Sequence, residues 1–174
     1  MILDFETLNT LRGLEGEKIV KRILKNSGFK YIDDIYLKTE RGTTQIDGVV
    51  VCESGIFVLE IKNIRGAIHG DIEKTTWVNK RDSIEYRSYS PILQNTGHIR
   101  NLRRELNYDG ILNNLVLFPD DTEIEVNTDR VINYGSLTSY LKGGKVLDSE
   151  EIDYWYGYLT QIKTNNQFLM FKHM

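Results

Sequence analysis

The sequence predicts an α/β fold in which a central mixed β-sheet is flanked by helices. Three observations carry that expectation. Residues 10–26 have helical periodicity, strand-like runs fill 30–87, and a helix over 91–106 is followed by another apolar strand at 111–118. One helix, then strands, then helix and strand again is the order of a mixed sheet with helical cover.

In the first helix Leu14, Val20, Ile23 and Leu24 recur at helical spacing, while Lys18, Lys21, Arg22 and Lys25 lie mostly elsewhere. Gly28 follows as a C-terminal cap. Strands are expected at 30–37, 44–52 and 56–63, with shorter ones near 66–70, 75–79 and 83–87. Pro91 sits at the first turn of the next helix, where its missing N–H costs nothing. The tail offers a short helix near 136–142 and a longer one after Asp148, where Asp148 and Glu151 have capping-box spacing. Only Pro91 and Pro119 are prolines, and no linker or repeat marks a boundary. Residues 1–174 are therefore expected to form one domain, with a core over about 11–126 and a helical extension over about 131–174.

Composition excludes several classes. The 174 residues are 40% hydrophobic and 27% charged, which is ordinary for a globular domain and not for a disordered or fibrous chain. No run approaches the roughly 18 apolar residues of a membrane span. "MILDFETLNTLRG" lacks a basic segment followed by an apolar one, so it does not resemble a secretory signal, and a cytoplasmic location is expected. Cys52 is alone and lies in an apolar run, which suits a buried, inert thiol. The net charge of −3 disfavours a nucleic-acid coat protein. The charge is uneven, however: residues 12–41 hold eight Lys/Arg against five acids, and 80–104 hold six against two.

The chemistry concentrates in "TQIDGVVVCESGIFVLEIKN", residues 44–63. Apart from Asp47, Glu53, Glu60 and Lys62, its two runs are almost wholly apolar, as suits strands covered on both faces. A carboxylate inside such a strand is costly unless it is paired or bound to a cation. A hairpin turning at Ser54-Gly55 puts Asp47 opposite Lys62, with Glu60 one diagonal step away. A turn at Glu53-Ser54 puts Asp47 directly opposite Glu60. Either way the three side chains share a face. Carboxylates that hold Mg²⁺ or Mn²⁺ beside an ammonium group are suited to phosphodiester hydrolysis. A buried salt bridge between Lys62 and either acid would account for the same residues.

Glu17 adds to this set. Leu14, Val20 and Leu24 lie within about 60° of it on a helical wheel, so it falls inside the apolar stripe, whereas Glu15 points to the solvated side. Gly13 and Gly16 would let that helix approach another backbone. In "SPILQNTGHIR", Gln94 lies near a helix start, where it could serve a phosphate, a water or the lysine, or be a plain helix residue. His98 lies one turn on and carries little weight.

"GLEGEKIVKRIL", "TQIDGVVVCESGIFVLEIKNIRGAIHG" and "SPILQN" occur in the order and spacing of the nuclease-related domain (NERD), a branch of the PD-(D/E)xK superfamily, and roughly residues 11–126 resemble it. The resemblance implies a restriction-endonuclease-like core. It also implies that Asp47 binds metal, that Glu60 and Lys62 are the E-x-K pair, and that the Ile61 carbonyl is an extra metal ligand. Glu17 resembles the family's first-helix glutamate, Gln94 the glutamine of its last motif, and Trp77 a packing aromatic after the core hairpin. Mg²⁺ or Mn²⁺ is the implied cofactor and nucleic acid, DNA rather than RNA, the implied partner. Many such domains are fused to helicase, kinase or zinc-ribbon modules. None is recognisable here, so substrate choice is expected from this domain, from a homodimer or from a protein partner.

Two functions therefore compete. One is a metal-dependent nuclease acting on branched, single-stranded or damaged DNA. The other is a non-catalytic nucleic-acid- or protein-binding scaffold, for which the acidic balance and the ten tyrosines are the arguments. Divalent-metal binding at Asp47 and Glu60 separates them.

Overall fold

The computed structural model describes residues 5–173, with side chains from Thr7 onward. Helix α1 spans Phe5–Asn26, longer than its periodicity indicates, and Gly28 (φ 76°) turns the chain off it. Strands β1 (Lys30–Thr39), β2 (Gly42–Cys52) and β3 (Gly55–Ile61) follow as an antiparallel meander. Then come β4 (Ala67–Gly70), β5 (Thr76–Arg81), β6 (Ile84–Tyr89), helix α2 (Pro91–Leu106) and β7 (Leu112–Phe118). The remainder is β8 (Glu123–Val126), β9 (Val131–Asn133), α3 (Leu137–Leu141), α4 (Ser149–Asn166) and a last turn, α5 (Met170–His173).

The expected mixed sheet is present, in the order β1-β2-β3-β7-β9, with β7 parallel to β3 and β9 parallel to β7. A second sheet, β6-β5-β4-β8, is an addition to the single sheet read from the sequence. Its strands are short and partly exposed, so they lack the apolar runs that announce a central sheet. Residues 131–133, expected to open a helical tail, instead supply strand β9.

Each face of the larger sheet has its own core. Ile56 and Val58 of β3 pack with Leu102 and Leu106 of α2 and with Leu159 and Ile162 of α4. Phe57, Leu59 and Ile61 point the other way, against Val20 and Leu24 of α1 and Leu137 and Leu141 of α3. This strict alternation is why β3 reads as apolar at both parities. Trp77 is buried in a third cluster with Ile68, Ile92 and Phe118, a packing role as expected. Cys52 is likewise buried.

Caps fix the helices. The Ser90 hydroxyl accepts the Leu93 N–H at the start of α2, and Asp148 accepts the Glu151 N–H at the start of α4. One expectation for α1 fails. Leu14 is 47% exposed, as are Leu8 and Leu11 in similar measure, so only the C-terminal half of α1 lies on the sheet. Among the described residues no helix is long and apolar enough to cross a membrane.

Candidate active site at the β2–β3 junction

Strand pairing fixes the positions of the acids. Cys52 pairs with Gly55, so the hairpin turns at Glu53-Ser54 and not at Ser54-Gly55, and the ladder runs to Gly48 opposite Leu59. Ladder pairing stops there. One Asp47 carboxylate oxygen instead accepts the Ile61 N–H at 2.8 Å, taking the place of a backbone carbonyl. On the far side β1 is also irregular: Asp34 has φ 49°, and the register passes from Asp33–Gly48 to Ile35–Ile46 without it. Asp47 thus lies where three strands lose their regular pairing.

Tyr31 seals this junction from the α1 side. A Cβ at Gly48 would meet its ring at 2.2 Å, so only glycine fits beneath it. Gly16 has the matching role on α1: a Cβ there would lie 2.6 Å from the Tyr134 hydroxyl and 3.1 Å from Asn63 Cβ. That hydroxyl donates to the Lys62 carbonyl, pinning the end of β3. Gly13 has open space around it, so of the two glycines only Gly16 marks a close approach.

Glu60 is 3% exposed and faces α2. The Lys62 ammonium lies 2.9 Å from Glu60 Oε1 and also donates to Gln94 Oε1 at 3.0 Å. His98 Nδ1 is 3.2 Å from Glu60 Oε2, an ion-pair distance, yet neither atom has a hydrogen-bond partner among the described residues. Asn95 holds α2 in place here. Its amide donates to the Val58 carbonyl and to Asn114 Oδ1, both at 2.8 Å, tying the helix to β3 and β7. Gln94 and His98 are carried on that anchored turn.

The electrostatics divide the acids. Burial pushes Asp47 up to about 7, with the Glu60 charge adding to it and the Ile61 N–H opposing it. Burial likewise raises Glu17 to about 8, assisted by Asp47, Asp34, Asp33 and Glu60. For Glu60 burial also acts upward, but His98 and Lys62 outweigh it and hold the carboxyl below its ordinary value. Glu60 is thus the ionised group, while burial and neighbouring acids favour the protonated forms of Asp47 and Glu17, at Asp47 against the opposing charges of Lys62 and His98.

Asp47, Glu60, Lys62 and Gln94 are brought together, with the Ile61 amide between them. Glu17 belongs to the same electrostatic neighbourhood but reaches it from the α1 side. Among the described residues no three His, Cys, Asp or Glu side chains gather closely enough to form a metal cluster. The expected Glu17–Asp47–Glu60 set is therefore not assembled as a unit. The oxygen donors available to a hard cation are Asp47, Glu60 and the Ile61 carbonyl. They suit one electrostatically: among the described residues Glu60 Oε2 is buried with only His98 Nδ1 nearby, and burial and the Glu60 charge hold Asp47 up despite the opposing charges of Lys62 and His98. Sequence reasoning underrated His98. Its only signal was its position one turn after Gln94, on the same face of α2.

An uncharacterized protein of Bacillus anthracis is 36% identical over 97 residues, an alignment covering 51% of this chain and 44% of the relative. The chain thus spans less than half the length of that relative. No solved structure matches it. The profile of the nuclease-related domain matches residues 12–123, well over half of the sequence and inclusive of Glu17, Asp47, Glu60, Lys62 and Gln94. The chain belongs to the nuclease-related domain family.

Proposed function

We propose that the β2–β3 junction is the active centre of a metal-dependent nuclease acting on DNA, with residues 1–174 working as one domain. The observation that carries this is the Lys62 ammonium, held between Glu60 and Gln94 beside a second buried carboxylate. Asp47, Glu60 and the Ile61 carbonyl would hold Mg²⁺ or Mn²⁺. Such an ion polarises a phosphoryl oxygen and acidifies water, lowering the barrier to phosphodiester hydrolysis. Lys62 would supply positive charge where negative charge builds up on the phosphoryl oxygens. Gln94 orients Lys62 and offers its amide N–H₂ to a phosphate. Glu17, raised to about 8, would add negative charge to the junction only on ionising, which a bound cation favours.

A non-catalytic scaffold is the second reading. It is favoured by the Lys62–Glu60 pair, which already compensates one acid, and by the lack of a three-acid cluster among the described residues. The two are separated by incubating the purified protein with labelled duplex, single-stranded and branched DNA and with RNA, in Mg²⁺, Mn²⁺ or EDTA. Cleavage that needs metal and disappears in Asp47→Ala and Lys62→Ala supports the nuclease. Absence of cleavage, or variants as active as the parent, supports the scaffold.

A further inference from the structure

A cleft of about 690 Å³ opens beside the junction, between the N-terminal half of α1 and the β5–β6 hairpin. Its floor is the stretch Ile61–Arg65 that leaves β3, so Lys62 lies at its inner end. Arg12 and Arg81 stand on opposite walls and Arg65 on the floor, against the acids Glu15 and Asp82. Among the described residues Arg65 and Arg81 pair with Asp121 at 3.7 Å and Asp82 at 3.5 Å, exposed ion pairs that a phosphate can displace at little cost.

The outer wall is unusual. Every residue of β6 is exposed, and Ile84 (53%) and Tyr86 (50%) present large apolar faces to the cleft. An exposed sheet edge with uncovered apolar side chains needs a reason. On the other side of the junction lies a second depression, between the β1–β2 tip and α2, lined by Gln94, His98 and the arginines 41, 100 and 104. Its described lining includes no Phe, Tyr or Trp. Lys62 lines the first recess, Gln94 the second, and the two side chains are hydrogen-bonded. The recesses therefore meet at this pair.

We propose that the two recesses form one track for a single, unpaired polynucleotide strand, with bases stacked on Tyr86 in the first and phosphates held by Arg41, Arg100 and Arg104 in the second. This rests on the proposed function and specifies its substrate class. Stacking on an exposed ring beside cationic side chains is how unpaired strands are held. A duplex conceals its base faces and offers phosphates and groove edges instead. The strand would cross Lys62, bringing a phosphate to the carboxylates.

The test separates binding from cleavage. Anisotropy is measured with a labelled oligothymidylate of about 12 nucleotides and with a duplex of equal length, in EDTA. The single strand should bind at least about tenfold tighter. Tyr86→Ala should weaken it about tenfold and Tyr86→Phe hardly at all, while Arg81→Glu or Arg100→Glu should each weaken it and flatten its salt dependence. Tyr154→Ala, on an exposed stretch of α4, is the control, and circular dichroism verifies folding of every variant. Equal or tighter duplex binding overturns the proposal, as does binding indifferent to Tyr86 and both arginines. So does a Tyr86→Ala variant whose only change is dissociation of a dimer. If Tyr86-dependent binding holds but no strand is cut in Mn²⁺, the nuclease reading falls and the track stands.

Discussion

Lys62 donates to Gln94 across the gap between β3 and α2 while also pairing with Glu60, so one ammonium group joins a strand, a helix and a buried carboxylate. Its position has consequences for rate. Lys62→Met should lower the single-turnover cleavage rate at least about 100-fold, the usual loss when a positioned transition-state donor is removed. Gln94→Leu leaves the charge and frees only its orientation. A loss of about tenfold is expected, and an equal loss in both variants would show that Gln94 does more than orient.

The raised carboxyls make stability pH-dependent with a definite sign. Burial and neighbouring acids push the Asp47 and Glu17 carboxyls up to about 7 and about 8 in the folded chain, from ordinary values of 3.8 and 4.5. Between those limits the folded state binds more protons than the unfolded one. Stability should therefore fall as pH rises from about 4 to 8. Asp47→Asn should raise Tm by about 2–4 °C at pH 8, corresponding to roughly 1 kcal/mol in this partly buried site, and change it little at pH 4. Mn²⁺ should stabilise the parent chain at pH 8 and not at pH 4, and a chelator should reverse the gain. Scanning calorimetry across this range reads both effects.

His98 and Lys62 keep Glu60 ionised. His98→Leu should move the Glu60 carboxyl upward, visible in carboxyl-carbon NMR titration, and destabilise the fold by about 1–3 kcal/mol in urea at neutral pH. A Glu60 titration unmoved by the substitution would mean that Lys62 suffices.

The two glycines of α1 should behave oppositely. Gly16→Val drives a side chain into the Tyr134 hydroxyl and Asn63, costing about 1–3 kcal/mol and releasing the Lys62 carbonyl from its tether. Gly13→Ala has room and gains helix propensity, up to about 1 kcal/mol. Urea midpoints for the pair decide whether α1 is positioned by Gly16.

Much of this was legible because the informative residues lie close together in sequence. The periodicity of α1 and the runs of β2 and β3 follow from packing on both sheet faces. The set Asp47, Glu60 and Lys62 is written within one hairpin. The turn itself was ambiguous because Glu53, Ser54 and Gly55 support either register, and only the pairing of Cys52 with Gly55 decides between them. Leu14 misled because helical spacing does not show how far a helix overhangs its sheet. The second sheet, the tie from Asn95 to Val58 and Asn114, and the contact of His98 with Glu60 all depend on the approach of segments distant in the chain. Local pattern carries no signal for such approaches.

The parallel pairing of β8 with β4 ties a strand made after β7 to one made before α2. The smaller sheet is therefore completed only once residues 123–126 have been synthesised and β7 has docked beside β3. Loop closure over so long a separation is slow compared with hairpin formation. During synthesis the β5–β6 hairpin can form early, but it becomes a wall facing α1 only afterwards. A nascent chain would thus carry the carboxylates of the junction for some time without a completed channel beside them.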